Sequence, residues 1–172
     1  MARVPLITEK TPDLDEEQAI TFDWVVESRG KMIRPFEVLL HTPDIARSVA
    51  ELGAKIRFSS TLPDADRELV ILTVGVTHGC AFVWDSHIDL ARSVGVREEA
   101  AAALRSGDES ALSEDERLLV GATRSLCRTG GVADLQFTGL VARYGQRGAV
   151  DFCATVGYYT MLGFVMGATE AC

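Results

Sequence analysis

Arg67-Glu68-Leu69-Val70-Ile71-Leu72-Thr73-Val74-Gly75-Val76-Thr77-His78-Gly79-Cys80-Ala81-Phe82-Val83-Trp84-Asp85-Ser86-His87 runs apolar for most of its length and carries a glutamate, a cysteine and two histidines. Its β-branched residues suit a strand. Its length and the acids Asp64 and Asp66 just before it favour a helix buried on most sides, from Asp64 to His78. Gly79 interrupts the pattern, and Cys80 to Val94 reads as a second helix, with Phe82, Val83, Trp84, Ile88 and Leu90 available for burial and Gly95 at its end. The stretch is therefore a helical hairpin.

The same period extends outward on both sides. Upstream, Pro5 and Pro12 punctuate an extended arm. Thr11-Pro12 offers a helix start, followed by Asp13, Asp15, Glu16 and Glu17, and the helix reaches Ser28 before Gly30. A short helix follows Pro35, and Pro43 opens another with Ile45, Val49, Leu52 and Ile56 on one face. Downstream, Arg97 to Leu104 is a short alanine-rich helix. Ser113-Glu114-Asp115-Glu116 is a capping box, and the helix after it places Leu118, Leu119, Ala122 and Leu126 on one face. Asp134 to Tyr144 is closed by Gly145, and a long apolar helix runs from Gly148 or Ala149 to Ala168. No hairpin turn of the Asn-Gly kind and no sustained alternation appear. The expectation is all-α: residues 1–13 as an arm, and residues 14–172 as one domain of seven to eight helices.

A chain of 172 residues, 47% apolar, can bury a substantial core. Its net charge of −8 repels phosphate backbones, and its arginines are scattered among acids, so nucleic acid is not an expected partner. The apolar run 153–168 is shorter than the roughly 20 residues a membrane span needs. The N-terminus is too polar for a signal peptide, so the expectation is a cytoplasmic protein with no membrane partner. Cys80, Cys127, Cys153 and Cys172 form no CxxC pair and no zinc spacing, which points to reduced thiols and to no metal or other cofactor.

Glu68, Cys80 and His87 are the residues that could do chemistry. Cys80 and His87 lie two helical turns apart on one face, about 10 Å along the axis. A hairpin around Gly79 can bring Glu68 alongside either of them. A carboxylate, an imidazole and a thiol on apolar helices suit proton transfer or thiol chemistry. Each has a plainer reading: a packing cysteine, a partly buried histidine, a solvated first-turn glutamate. His78 competes with His87 on the same grounds.

From Arg67 through His87, and on through Ile88-Asp89-Leu90-Ala91-Arg92-Ser93-Val94-Gly95-Val96, the sequence resembles the carboxymuconolactone decarboxylase / AhpD-like family. The likeness covers roughly residues 35 to 170. It implies an enzyme with Glu68, Cys80 and His87 as the catalytic positions. In AhpD-like members a glutamate, a CxxC pair and a histidine form a peroxide-reducing relay; here Val83 stands where the second cysteine would be, so a resolving thiol would have to be external or distant. In the lactone decarboxylases the matching glutamate and histidine handle protons without a cysteine pair, and Arg34, Arg67 and Arg92 are candidates to hold an acidic substrate. Trp84, Val83 and His78 are the candidate pocket residues. Tyr158, Tyr159, Met161, Phe164 and Met166 could shape the same pocket or face a second subunit. The resemblance implies a homo-oligomer (dimer, trimer or hexamer) acting on a small molecule, or a non-catalytic member of the fold.

Overall fold

The computed structural model describes residues 2–172; Met1, the first residue of the expected arm, lies outside them. Among the described residues the regular structure is helical: α1 (Glu16–Arg29), α2 (Arg34–Leu39), α3 (Pro43–Phe58), α4 (Asp64–Thr77), α5 (Ala81–Ser93), α6 (Glu98–Ser106), a 3₁₀ turn (Glu109–Ala111), α7 (Glu114–Thr129) and α8 (Asp134–Ala168). The all-α expectation holds. The residues form two compact units, Ser60–Gly163 and the chain up to Ser59 together with Phe164–Cys172.

In the second of these units, α1 begins later than Pro12 suggests. Asp15 accepts from the Gln18 backbone N–H at 2.8 Å, and the Gln18 side chain accepts from the Asp15 N–H at 3.1 Å. This reciprocal cap, a contribution of about 1 kcal/mol, sets the start at Glu16, and Thr11 to Leu14 forms a turn before it. Gly30 ends the helix at a φ of 77°, which favours glycine. Helix α3 packs on α1 and α2 and buries Ala46, Val49, Ala50, Gly53 and Ile56. The expected face was only half right, because Ile45 and Leu52 remain 49% and 45% exposed. Small residues win the inner side because they admit close approach: the Arg29 guanidinium reaches the Ala50 carbonyl at 2.9 Å. Residues 2–10 form no helix and are tied down. The Arg3 N–H donates to the Thr169 carbonyl at 2.7 Å, the Ile7 N–H to the Glu37 carbonyl at 3.0 Å, and His41 Nε2 to the Pro5 carbonyl at 2.8 Å.

The unit Ser60–Gly163 is built around α4. Arg67 through Gly75 are all buried, and α5, α6 and α7 pack on this helix. Helical periodicity cannot reveal such an element, because no side of it faces water. At Gly75, α5 comes close. A Cβ there would lie 3.0 Å from Val83 Cγ1, so the pair interlocks a missing side chain with a branched one. Gly79, at φ 65°, turns the chain into α5. Ser113 and Glu116 form the expected capping box at the start of α7. Helix α8 is interrupted at Gly145 (φ 69°, ψ 175°), which joins the two helices expected on either side of it. This helix is long and apolar enough to cross a membrane by length and composition, and half of its most apolar window is buried inside the fold.

Candidate active site

The α4–α5 hairpin brings Glu68 and His87 together. His87 Nδ1 lies 2.7 Å from Glu68 Oε2, a normal hydrogen bond between groups 19 residues apart. Glu68 is fully buried, and the His87 side chain is 14% exposed. With the carboxylate oxygen accepting, Nδ1 carries the proton, and in the neutral ring Nε2 keeps its lone pair. Tyr159, from α8, makes a T-shaped contact with the His87 ring at a centroid distance of 5.3 Å and 89° between planes, which restrains the ring.

Arg67 precedes Glu68 and is also buried. Its Nη1 bonds Asp64 Oδ1 at 2.8 Å, and its Nε stands 3.9 Å from Glu68 Oε1. Neither Arg67 Nε nor Glu68 Oε1 has a hydrogen-bond partner among the described residues. Of the arginines considered for an acidic substrate, Arg92 pairs with Glu98 and Asp89 in the open, and Arg34 pairs with Glu37. Arg67 alone of the three adjoins Glu68.

Cys80 is the residue before α5. Its N–H donates to the Gly75 carbonyl at 2.9 Å, and it is 2% exposed. It is disulfide-bonded, as is Cys172, while Cys127 and Cys153 are free. The expectation of four reduced thiols therefore fails at Cys80 and Cys172. Burial pushes the Cys127 thiol up, opposed by the Thr160 hydroxyl and Arg128, and burial likewise pushes up the Cys153 thiol. Both are held in the less reactive, protonated form.

The three candidate pocket residues face different neighbours. Val83 packs on Gly75. Trp84 lies under the Arg105 guanidinium, 5.2 Å from the ring centroid. His78 Nε2 is 3.3 Å from Thr160 Oγ1, which also meets Cys127 Sγ at 3.6 Å, and burial lowers the His78 pKa. Sequence reading named the tyrosine pair of α8 only as pocket or interface material. It missed that Tyr159 braces His87, because no spacing links residues on separate helices.

Comparison with known proteins bears on the same hairpin. The sequence pattern of the carboxymuconolactone decarboxylase family matches residues 43–124, which span α3 to most of α7. No curated protein matches the chain. Two solved structures share the fold. A protein of unknown function from Agrobacterium tumefaciens, described as an AhpD antioxidant defence candidate, superposes with a TM-score of 0.65 at 22% identity, covering 77% of this chain and 92% of its own. An uncharacterized peroxidase-related protein from a Silicibacter species superposes with a TM-score of 0.74 at 15% identity, covering 98% of this chain and 92% of its own. Residues 43–124 thus carry the sequence pattern of the carboxymuconolactone decarboxylase family, on an all-helical fold shared with these AhpD-like structures.

Proposed function

We propose that the chain is an enzyme that moves a proton on a small organic acid or lactone-type metabolite, with His87 as general acid/base and Glu68 as the group that orients it. The Glu68–His87 hydrogen bond at 2.7 Å, between a fully buried carboxylate and a mostly buried imidazole, carries this reading. Glu68 holds one tautomer, so Nε2 is the nitrogen that takes the substrate proton and returns it. Tyr159 limits rotation of the ring, so the lone pair keeps its direction. The test is a panel of unsaturated lactones and β-keto acids, scored for proton exchange and carbon dioxide release. Turnover that falls about 100-fold or more in His87→Gln supports the reading. Turnover unchanged in that variant sinks it.

A second reading is favoured by the disulfide at Cys80: a thiol peroxidase. The reduced Cys80 thiolate would attack the outer oxygen of a hydroperoxide, the O–O bond would break, and the alcohol would leave with a proton. A second thiol would then attack the sulfenic acid and release water. Hydrogen peroxide and an organic hydroperoxide, offered to reduced protein and to Cys80→Ser, decide it. Consumption no faster than by an ordinary thiol sets the peroxidase aside. Non-reducing peptide mapping identifies the partner of Cys80; Cys127 or Cys153 as partner would contradict their free state. Either enzyme is proposed to work as a homo-oligomer on a small molecule, and sedimentation at two protein concentrations tests the assembly.

A further inference from the structure

Three polar side chains at the far end of α4 from Glu68 meet in a row that the proposed function leaves unused. His78 caps the end of α4, ten positions after Glu68 and so about 15 Å along the axis. Its Nε2 lies 3.3 Å from Thr160 Oγ1 of α8, and the same oxygen lies 3.6 Å from Cys127 Sγ of α7. Gly163, on α8, lets the imidazole lie close, since a Cβ there would already stand 3.6 Å from the His78 Cβ and 3.7 Å from its ring. All three side chains belong to the unit Ser60–Gly163 and are partly exposed, and Cys127 is free. Cys153 is the contrast in the same molecule. It too is free and partly exposed. Besides burial, only its own backbone acts on its thiol, whereas Cys127 also meets Thr160 and the charge of Arg128.

We propose that Cys127, Thr160 and His78 form a thiol modification site for a small anionic disulfide, with Thr160 relaying the thiol proton to His78. A hydroxyl donates and accepts at once. The Cys127 S–H donates to Thr160 Oγ1, and the Thr160 O–H donates to Nε2 of a neutral His78. Burial raises the thiol and lowers the imidazole, which favours the neutral form of each at rest. Proton transfer therefore accompanies attack. The Cys127 sulfur forms a bond to one sulfur of the disulfide, its proton passes to Thr160, and the hydroxyl proton passes to His78. The S–S bond of the reagent breaks, its electron pair leaves on the outer sulfur, and the proton held by His78 returns through solvent to that thiolate. The products are a mixed disulfide at Cys127 and one free thiol, so no further oxidant or reductant enters. Arg128 sets a positive charge beside the sulfur, which favours a reagent that carries negative charge.

The probe is a dithiobis(nitrobenzoate), an aromatic disulfide dianion. With Cys80 and Cys172 disulfide-bonded, Cys127 and Cys153 are the thiols that report. Release of nitrothiobenzoate gives the rates at neutral pH, and peptide mapping assigns them. Cys127 should react ahead of Cys153. His78→Gln and Thr160→Val should each slow Cys127 by about 100-fold and leave Cys153 unchanged, while Thr160→Ser, which keeps the hydroxyl, should restore the rate. Cys127 no faster than Cys153 in wild type, or unslowed in either variant, overturns the site. A Thr160→Ser rate as low as that of Thr160→Val overturns the relay. Should a variant open the fold, seen as faster labelling of Cys153, wild type decides by NMR. The His78 Nε2 resonance should move when Cys127 becomes a mixed disulfide, and an unmoved resonance overturns the proposal.

Discussion

Helices α4 and α5 form one hairpin, yet they stand in opposite relation to water. Helix α4 buries nine consecutive residues, Arg67 to Gly75, whereas α5 buries only Val83 and Ala91. The pair Glu68–His87 spans this difference. Its carboxylate belongs to the helix held on every side, and its imidazole to the helix with one wet face. The division suits proton transfer, since a fixed acceptor orients a ring that solvent or a ligand can still reach. It also separates the effects of substitution: changes on α4 should cost stability, and most changes on α5 should not.

The largest effect expected is on rate. Glu68→Gln and His87→Gln should each lower turnover of a responsive substrate by about 10²–10⁴-fold, and the double variant should lose little more than either single one, because the two act as a unit. Additive losses would break the pairing. Next, Leu72→Ala on α4 should destabilise by about 2–5 kcal/mol in chemical denaturation, while Leu90→Ala on α5, already 45% exposed, should stay within about 0.5 kcal/mol. Similar values for both would erase the distinction between the helices.

Where the helices touch, Gly75→Ala should cost about 1–3 kcal/mol, because the new methyl meets Val83 at 3.0 Å. Adding Val83→Ala should recover part of that loss, and no recovery would move the strain elsewhere. The smallest effect is one of pH. Burial lowers the His78 pKa, so the folded state favours its neutral form. That contribution is present above the ordinary value of 6.5 and is lost as pH falls through the lower folded value. The fall in thermal stability over that range should be shallower in His78→Gln than in wild type. An unchanged slope would assign the acid sensitivity to other groups.

Much of this helical layout could be read from the residues. Gly30, Gly107 and Gly130 end helices at positive φ, and Ser113 with Glu116 begins one, because these signals are local. The inner face of α3 was legible only in part, since close approach favoured Ala46, Ala50 and Gly53 over the larger Ile45 and Leu52. Glu68 and His87 were within reach because the family spacing names them and a hairpin joins them. The directions of Val83, Trp84 and His78 were not, because each is set by a partner on another element. The state of Cys80 was not legible either, since four cysteines without a motif do not announce which of them are oxidised.

The hydrogen bond from the Arg3 N–H to the Thr169 carbonyl, reinforced by Arg3 on Glu170, has a practical consequence for how the gene can be rearranged. It holds Arg3 beside Thr169 and Glu170, so the segments around these residues lie next to one another. A short glycine-serine bridge could join them, and new ends could be opened in the exposed connection at Gly107-Asp108, between α6 and the 3₁₀ turn. Such a circular permutant would keep the α4–α5 hairpin uncut. A bulky insertion beside Arg3, by contrast, would crowd Thr169 and Glu170.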